Sequence, residues 1–359
     1  MSYMDMAIDA GKKARGISNP NPPVGAIIVK DEQVLAKGFT GRPGSPHAEI
    51  MAISSAGDNV NNSTLYVTLE PCCHFGRTPP CTEAIIKSGI SKVFIAVEDP
   101  DDRVSGQGIQ RLRKAGIEVV LGIGKEETEL DLEAHIKLST TGLPFVTAKF
   151  AMSLDGKIAA SSGESKWITG EESRTAAHVM RLESDAIMVG VNTVVVDDPR
   201  LTVRLGDRDV DRQPLRVVID SQGRIPTNSS MLFEEGATFV ATVKNVTFLE
   251  NINNLSTKAF PDKEGKVDLI SVLKHLGKMP VSSVFVEGGS ELLGSLFDQG
   301  LVDKVAAFIS PSIIGGRYSL SAVGGIGTEF MADKYVLTGV KRDFVGSDIL
   351  VTGYCKRGV

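Results

Sequence analysis

The sequence has no long apolar run and no strong excess of charge of one sign. Its 359 residues include 39 Lys and Arg against 44 Asp and Glu, a formal net charge of −5 at pH 7. This weakly acidic balance argues against general electrostatic binding to nucleic acid or to an anionic membrane. The apolar stretch at 305–316 is interrupted by Pro311 and is far shorter than the roughly 20 residues of a membrane helix. We expect neither a nucleic-acid partner nor a membrane partner.

Cysteine is scarce as well, and its placement is uneven. Of four cysteines, Cys72, Cys73 and Cys81 lie in one short segment, whereas Cys355 stands alone. The first residues contain acids and no apolar core of a signal peptide, so we expect a cytoplasmic protein. In a reducing compartment, such a cluster indicates metal binding or catalysis rather than disulfide bonds.

Length and composition predict two globular domains. Apolar residues make up 42% of the chain and charged residues 23%, which is typical of a soluble protein. At about 100 to 200 residues per domain, the chain is long enough for two domains that each bury a core. The segment 141–144, Thr-Gly-Leu-Pro, carries a helix stop and then restarts as extended chain. We therefore expect one domain at 1–142 and another at 143–359.

Strand and helix patterns alternate in both halves, which predicts α/β folds. In the first half, a hairpin around Asp31 and Glu32 precedes alternating helices and strands, and residues 125–140 are expected to form one continuous helix. Residues 243–268 are the least patterned stretch. The helices expected in the second half are 171–181, 269–276 and 291–299.

The most specific pattern in the chain is His47-Ala48-Glu49, followed by Cys72 and Cys81. One imidazole and two thiolates suit zinc, and a catalytic zinc takes three protein ligands and keeps one position open. Glu49 is then a spare carboxylate, suited to move a proton between water and a leaving amine. Residues two apart do not share a face inside a helix. We therefore expect the His and Glu in a first helical turn, with Pro46 at the helix start.

Two other interpretations of this cluster are open from the residues alone. Zinc-dependent nucleobase deaminases pair His-x-Glu with Pro-Cys-x-x-Cys, whereas here residues 73–80 separate the two cysteines. If Cys73 or His74 were a fourth ligand, the site would be closed and structural, as in a zinc-stapled interaction module without enzymatic activity. Alternatively, His47 and the cysteines are unrelated core groups.

The motifs of the first half resemble the deaminase half of the bifunctional riboflavin-biosynthesis deaminase/reductase family. The resemblance is carried by His47-Ala-Glu, by Asn21-Pro-Pro-Val-Gly25 and by Thr68-Leu-Glu-Pro-Cys-Cys-His-Phe-Gly-Arg-Thr-Pro-Pro-Cys81. The long insert between the cysteines distinguishes this family from cytidine and tRNA-adenosine deaminases, and Cys73 replaces the family's usual Ser. The resemblance implies a cytidine-deaminase-like, three-layer α/β domain.

Site residues follow from the same resemblance. It implies that zinc is bound by His47, Cys72 and Cys81 and that Glu49 is the proton shuttle. It also implies that Asn21, His74 and Arg77 line a pocket for a phosphorylated pyrimidine. Arg77 and His74 supply the local positive charge that an acidic protein needs to hold a phosphate. From the residues alone, a solvated loop is the alternative for this pair.

The second half has no Gly-x-Gly-x-x-Gly after a strand, so a Rossmann dinucleotide site is not expected. Instead, Gly288 and Gly289 join an apolar strand to the helix at 291–299. Paired glycines allow close backbone approach, and free amides at a helix start attract phosphate, although a plain tight connection is an equally good interpretation. Trp167, the only Trp, lies among polar residues, and either a cofactor-facing or a core position suits it.

The segments 153–159, 163–169 and 197–204 match, in order, the reductase half of the same family, so the resemblance runs from residue 5 to residue 355. It implies an α/β domain similar to dihydrofolate reductase that uses NADPH. The implied cofactor contacts are Ala151, Trp167, Thr193, Asp197, Ser221, Gly289, Ser290, Glu291, Leu292, Leu293, Gly294 and Ser295. The implied substrate contacts are Ser165, Arg181, Leu201, Arg204 and Glu287.

Three cations of this half have open roles. Arg181 and Arg204 are candidates to clamp a sugar phosphate bidentately, and each could equally be a surface charge. Lys149 lies inside a predicted strand among apolar neighbours. It is either a group that steers protonation during hydride transfer or a plain lysine of an edge strand.

The sequence therefore predicts a bifunctional enzyme. Zinc-dependent hydrolytic deamination of diaminohydroxyphosphoribosylaminopyrimidine would precede NADPH reduction of the ribosyl side chain to ribityl, in a homo-oligomer that is a dimer or tetramer. The main alternative is a nucleoside or tRNA deaminase with an unrelated fused domain. The long insert between the cysteines argues against that alternative, and the acidic charge balance argues against a tRNA partner.

Overall fold

The computed structural model describes residues 1–75, 79–101, 104–206, 210, 212–246, 252–279 and 281–357. The chain forms two compact units, Met1–Leu143 and Pro144–Val359, and the division falls one residue beyond the expected boundary. Among the described helices, none has both the length and the apolar character that a membrane crossing requires.

The first unit alternates helices and strands around one mixed sheet. Its elements are α1 (Tyr3–Lys12), β1 (Gly25–Lys30), β2 (Gln33–Phe39), α2 (Ala48–Ala56), β3 (Thr64–Leu69), α3 (Cys81–Lys87), β4 (Lys92–Val97), α4 (Gln107–Lys114), β5 (Glu118–Leu121), α5 (Lys125–Asp131) and α6 (Glu133–Thr141). The strand order is β2-β1-β3-β4-β5. β1 is antiparallel to β2 and β3, whereas β3, β4 and β5 run parallel.

The burial of β1 shows that the sheet is covered on both faces. Successive side chains of a strand point to opposite faces, yet five consecutive residues of β1 are buried. Both α1 and α2 pack against this strand. Gly25 is the tightest point, because a Cβ there would lie 1.9 Å from the carbonyl oxygen of Ala7. Only glycine lets α1 approach the strand this closely.

The second unit is built on a nine-stranded sheet. Its elements are β6 (Phe145–Ser153), α7 (Glu171–Glu183), β7 (Ala186–Gly190), α8 (Val191–Asp197), β8 (Leu215–Ile219), β9 (Thr238–Thr242), β10 (Leu255–Ala259), α9 (Leu269–Lys278), β11 (Ser283–Val286), α10 (Ser290–Asp298), β12 (Lys304–Ser310), β13 (Tyr335–Val345) and β14 (Asp348–Arg357). The order is β10-β9-β8-β7-β11-β6-β12-β14-β13. The first seven strands in this order are parallel to one another. β14 is antiparallel to both of its neighbours, β12 and β13.

The carboxyl ends of the parallel strands lie at one edge of this sheet. Ligand sites of parallel α/β sheets lie at that edge, at a point where chain order reverses. β11 fits that description, because it lies between β6 and β7 although it follows both in sequence. Glu287 and the turn Gly288-Gly289 come directly after β11, so the topology places them at this edge.

The structure departs from the expected elements in several places. The helix expected over 125–140 is divided at Leu132, a buried residue whose φ of −103° and ψ of 10° interrupt the helix. β10, β13 and α8 have no counterpart in the sequence-based prediction. β10 and β13 are the two edge strands, and β13 is largely exposed. An edge strand lacks the continuous apolar run that marks a central parallel strand.

We predict that residues 1–142 fold without the rest of the chain. The buried apolar residues of the first unit form one cluster that extends from Met4 to Leu132, and a segment of this size can bury its own core. The isolated fragment should show cooperative thermal unfolding by circular dichroism and should bind zinc. A fragment that is soluble but lacks a cooperative transition would contradict this prediction, as would one that aggregates when expressed.

Candidate functional site

Three candidate metal ligands converge in the first unit. His47 is the N-cap of α2, Cys72 follows the end of β3, and Cys81 is the first residue of α3. The Nδ1 of His47 lies 3.7 Å from the Sγ of Cys72 and 3.3 Å from the Sγ of Cys81. All three ligand atoms lie within 4.8 Å of one another. In the described ranges, this is the one group of three or more His, Cys, Asp or Glu side chains close enough to hold a metal ion.

The chemistry of these donors fits zinc. A hydrogen bond between the two thiols lowers the pKa of Cys72 to about 4 and raises the pKa of Cys81. The backbone N–H of Cys81 also donates to the Sγ of Cys72, at 3.4 Å, and this bond favours the thiolate form of Cys72. Zinc prefers thiolate and imidazole donors, and three of them leave one coordination position for chemistry.

Glu49 lies beside the ligands but is not one of the three. It occupies the first turn of α2 and is only 4% exposed. Burial, and then the charge of Cys72, raise the pKa of Glu49 to about 7. A carboxyl group that titrates near neutral pH can both accept and return a proton. The first-turn placement agrees with the expectation, except that Pro46 precedes the N-cap rather than starting the helix.

The segment after Cys72 contributes no fourth ligand among the described residues. Cys73 and His74 are half-buried, and neither belongs to the ligand cluster. The Nδ1 of His74 is buried and has no hydrogen-bond partner among the described residues, so a ligand can supply one. Asn21 lies in the turn before β1, where its backbone N–H donates to the carbonyl of Ser18 at 2.9 Å. Arg77 lies outside the described residues.

In the second unit, a buried carboxylate gathers two cations. Glu287 follows β11 and forms a paired contact with Arg181 of α7, in which Nε faces Oε1 and Nη2 lies 3.0 Å from Oε2. The Nζ of Lys149 lies 3.6 Å from the same Oε2. Burial opposes ionisation, but Arg181 and Lys149 outweigh it and hold the pKa of Glu287 at about 2. Lys149 therefore belongs to this cluster, and the edge-strand interpretation is wrong because β6 lies between β11 and β12.

The expected clamp of two free guanidiniums is not what the structure contains. Arg181 is occupied by Glu287 and also donates to the carbonyl oxygen of Thr202, at 2.9 Å. Arg204 is exposed, and its Nη1 donates to the Oγ1 of Thr202 at 2.7 Å. The remaining donors of Arg204 are therefore better placed to meet an anion than those of Arg181. His178, to which no sequence motif assigns a role, accepts a hydrogen bond from the backbone of Arg204.

The turn after β11 brings some of the expected cofactor contacts together. Gly289 is the N-cap of α10, and a Cβ there would lie 3.6 Å from the Oγ1 of Thr193 in α8. Glu291 is exposed and Ser295 half-buried, whereas Ser290 and Leu292 are buried. Leu293 and Gly294, two further expected contacts, are also buried. Leu293 has no exposed surface, and Gly294 packs so closely on Gly324 that a Cβ would lie 2.3 Å from its carbonyl carbon.

The other expected residues of the second unit fall into two groups. Ser165 and Asp197 approach each other, with 3.4 Å between Oγ and Oδ1. Trp167 is 72% exposed and carries the guanidinium of Arg174 over its ring at 4.5 Å, which excludes a core role. Leu201, in contrast, is buried in an apolar cluster, so a substrate contact through its side chain is excluded.

Ala151 and Ser221 are placed by the sheet. Ala151 is a half-buried residue of β6, paired in register with Phe308. Ser221 comes two residues after β8, and its Oγ accepts a hydrogen bond from the backbone N–H of Val267 at 3.2 Å. Both lie toward the carboxyl ends of parallel strands, the edge that also bears Glu287 and Gly289. Their contacts with a cofactor stay predictions.

Comparison with known proteins agrees with both halves of the chain. Residues 1–97 match the family described as cytidine and deoxycytidylate deaminase zinc-binding region, and residues 144–344 match the RibD C-terminal domain. A riboflavin biosynthesis protein RibD from Aquifex aeolicus is 40% identical over 98% of this chain and 97% of its own. The Escherichia coli protein of the same name is 38% identical over 87% of this chain and 88% of its own.

Solved structures of RibD proteins are also similar to this chain over nearly its whole length. Acinetobacter baumannii RibD superposes with a TM-score of 0.90 at 33% identity, covering 99% of this chain and 98% of that one. A diaminohydroxyphosphoribosylaminopyrimidine deaminase/5-amino-6-(5-phosphoribosylamino)uracil reductase from Thermotoga maritima has a TM-score of 0.88 at 38% identity, with the same coverage. Both matches extend over the two units.

We predict that Cys81→Ser loses zinc and deaminase activity together, whereas Glu49→Gln keeps zinc and loses only the activity. The first change removes a ligand. The second removes a proton carrier, which is commonly worth about 10²- to 10⁴-fold in rate. Metal analysis and ammonia release measure the two effects, and Cys73→Ser is the matched control that should retain both. Zinc loss in Glu49→Gln, or in the control but not in Cys81→Ser, would refute the assigned roles.

Proposed function

Because the chain belongs to the RibD family of bifunctional riboflavin-biosynthesis enzymes, we propose that residues 1–142 carry its deaminase activity and residues 143–359 its reductase activity. The deaminase depends on zinc and the reductase on NADPH. The proposed first substrate is diaminohydroxyphosphoribosylaminopyrimidine, and the proposed second substrate is its product, 5-amino-6-(5-phosphoribosylamino)uracil. These are the compounds in the name of the Thermotoga maritima relative.

In the deaminase step, water replaces an amino group of the pyrimidine. His47, Cys72 and Cys81 would hold zinc, which supplies Lewis acidity when bound. Glu49 takes a proton from the attacking water and delivers it to the departing nitrogen, so that a C–O bond forms, the C–N bond breaks and ammonia leaves. The observation that carries this assignment is the convergence of the His47, Cys72 and Cys81 ligand atoms within 4.8 Å of one another, with the buried carboxyl group of Glu49 beside them.

The pyrimidine and its phosphate need further contacts in the same unit. We assign these to Asn21, His74 and Arg77. The buried, unpartnered Nδ1 of His74 supports its assignment, since a buried polar atom without a partner costs free energy that a ligand can recover. The segment that begins at Asn21 also runs beside the strand that leads to Cys72, because the N–H of Gly25 donates to the Oγ1 of Thr68 at 3.0 Å.

In the reductase step, bound NADPH would supply hydride to the ribosyl carbon; the C–O bond at that carbon would break, and the released oxygen would take a proton. Lys149 is a half-buried ammonium in contact with Glu287, and we assign it the steering of that proton. The exposed guanidinium of Arg204 would hold the substrate's phosphate, while Arg181 and Glu287 fix the surrounding backbone and line the site. Ser165 would contact the substrate beside Asp197.

The cofactor is assigned to the carboxyl edge of the nine-stranded sheet. Gly289 and Thr193 would flank its phosphate at the start of α10, where free amides attract anions. The remaining proposed contacts are Ala151, Trp167, Asp197, Ser221, Ser290, Glu291, Leu292 and Ser295. The exposed ring of Trp167 offers an apolar face on which a cofactor could pack.

Two features of the structure support proposals about the cellular location and the oligomeric state of the protein. The described cysteines are free thiols, and a site that depends on Cys72 and Cys81 remaining reduced fits the cytoplasm. Large apolar side chains are exposed in the segment that precedes the edge strand β13 and on β13 itself, namely Tyr318, Ile326, Phe330, Met331 and Phe344. Exposed apolar patches mark protein interfaces, so we propose a homo-oligomer, a dimer or tetramer.

We predict that Gly289→Val weakens NADPH binding by at least tenfold and leaves the first unit unaffected. A Cβ fits at this position without a clash, so the variant should fold. Its branched methyl groups, however, would occupy the approach to the amides of α10 beside Thr193. Titration with NADPH, followed by the fluorescence of Trp167, measures the effect. Zinc content and ammonia release should stay unchanged, and parental NADPH affinity in this variant would refute the assigned cofactor turn.

We predict that Arg204→Ala raises the KM of the reductase substrate and leaves NADPH affinity unchanged. Loss of a charge-assisted hydrogen bond to phosphate costs about 2 kcal/mol, or roughly thirtyfold in KM. Arg200→Ala is the matched control, because Arg200 is an exposed arginine of the same segment that pairs with Glu234 at 3.1 Å. Equal KM values in both variants and the parent would remove Arg204 from the phosphate site.

A further inference from the structure

The imidazole of His178 lies within the cationic cluster of the second unit, although none of the steps above uses it. It projects from α7, three residues before Arg181. Its Nδ1 accepts a hydrogen bond from the backbone N–H of Arg204 at 3.1 Å. A backbone N–H can only donate, so this bond exists only while Nδ1 carries no proton. The imidazole is therefore neutral, with its proton on Nε2.

The charges around His178 keep it in that form. Arg181 lies on the same helix, Arg204 on the bonded segment and Lys149 on β6, and the carboxylate of Glu287 also acts on the group. Burial, followed by the repulsion of Arg181 and Arg204, lowers the pKa of His178 to about 4, and the attraction of Glu287 is too weak to reverse this. At neutral pH the group is an acceptor and adds no charge to the cluster.

Among the described residues, two hydrogen bonds attach this segment to α7, and the bond to Arg204 is one of them. The other comes from Arg181, whose Nη1 donates to the carbonyl oxygen of Thr202 at 2.9 Å. The two bonds are made by residues three apart on the helix, and such residues lie on the same face. The backbone of 202–204 is thus held at both ends, and the side chain of Arg204 is further fixed by its bond to the Oγ1 of Thr202.

We propose that His178 is a positioning residue of the reductase, and that its neutral imidazole holds the backbone of Arg204 so that the guanidinium meets the anionic group of the substrate. This inference rests on the proposed role of Arg204. Without His178, the segment would keep its attachment at Thr202 and the bonds between Gln213 and the backbone of Val203, but the backbone of Arg204 would lose its own attachment. The guanidinium would then sample several orientations, and ordering it would cost substrate affinity.

Substitutions that move the acceptor test the proposal. In His178→Asn, the side-chain oxygen can take the place of Nδ1, whereas in His178→Gln the amide reaches the place of Nε2 instead. We expect His178→Ala and His178→Gln to raise the KM for the reductase substrate about tenfold, the usual value of one hydrogen bond. His178→Asn should stay within about threefold of the parent. The kcat, the NADPH dissociation constant and ammonia release should change less than about twofold in all three variants.

A double variant separates this proposal from the one on which it rests. If His178 acts through Arg204, His178→Ala should not raise KM further in the Arg204→Ala background. Multiplied effects in the double variant would overturn the proposal, and so would an Asn variant as impaired as the Gln variant. If His178→Ala does not fold, the comparison of Asn with Gln still decides. An unchanged KM in Arg204→Ala alone would instead refute the phosphate role of Arg204.

Discussion

The pairing of Glu287 with Arg181 and Lys149 is the interaction on which the proposed reductase site depends. A carboxylate buried at the end of a central strand costs several kcal/mol unless cations and hydrogen bonds compensate. Here the compensation comes from α7 and from the neighbouring strand β6. Because Arg181 is held in this way, its remaining donor is directed at the carbonyl of Thr202, which fixes the start of the segment that bears Arg204.

The two buried carboxyl groups Glu49 and Glu287 show how surroundings set chemical roles. Glu49 is buried beside a thiolate, and the pKa of Glu49 rises to about 7. Glu287 is slightly more exposed, with 10% of its side chain accessible, but it faces two cations, and the pKa of Glu287 falls to about 2. The first carboxyl group can therefore exchange a proton near neutral pH, whereas the second stays ionised and serves as a fixed anchor.

Local sequence patterns were enough to group the candidate zinc ligands, whereas contacts between residues distant in sequence left no pattern. His47, Cys72 and Cys81 stand in short motifs whose spacing follows from helix starts and a strand end, so the sequence is sufficient to group them. The bond between Arg181 and Glu287 joins residues 106 positions apart, and no periodicity encodes it. His178 belongs to no motif, and the partner of its imidazole is a backbone atom of a loop. Edge strands such as β13 were missed because exposure removes their apolar pattern.

The weak negative charge of the chain explains why an anionic substrate needs a local cluster of cations such as Lys149, Arg181 and Arg204. With a net charge of −5, the protein has no general field that would attract a phosphate, so the cations must be concentrated locally. Cations placed close together repel one another. Glu287 offsets this repulsion for Arg181 and Lys149. His178 is neutral and therefore adds no further positive charge. The result leaves Arg204 as the exposed member of the cluster. Its charge is not neutralised by Glu287, and its backbone is held in place from α7.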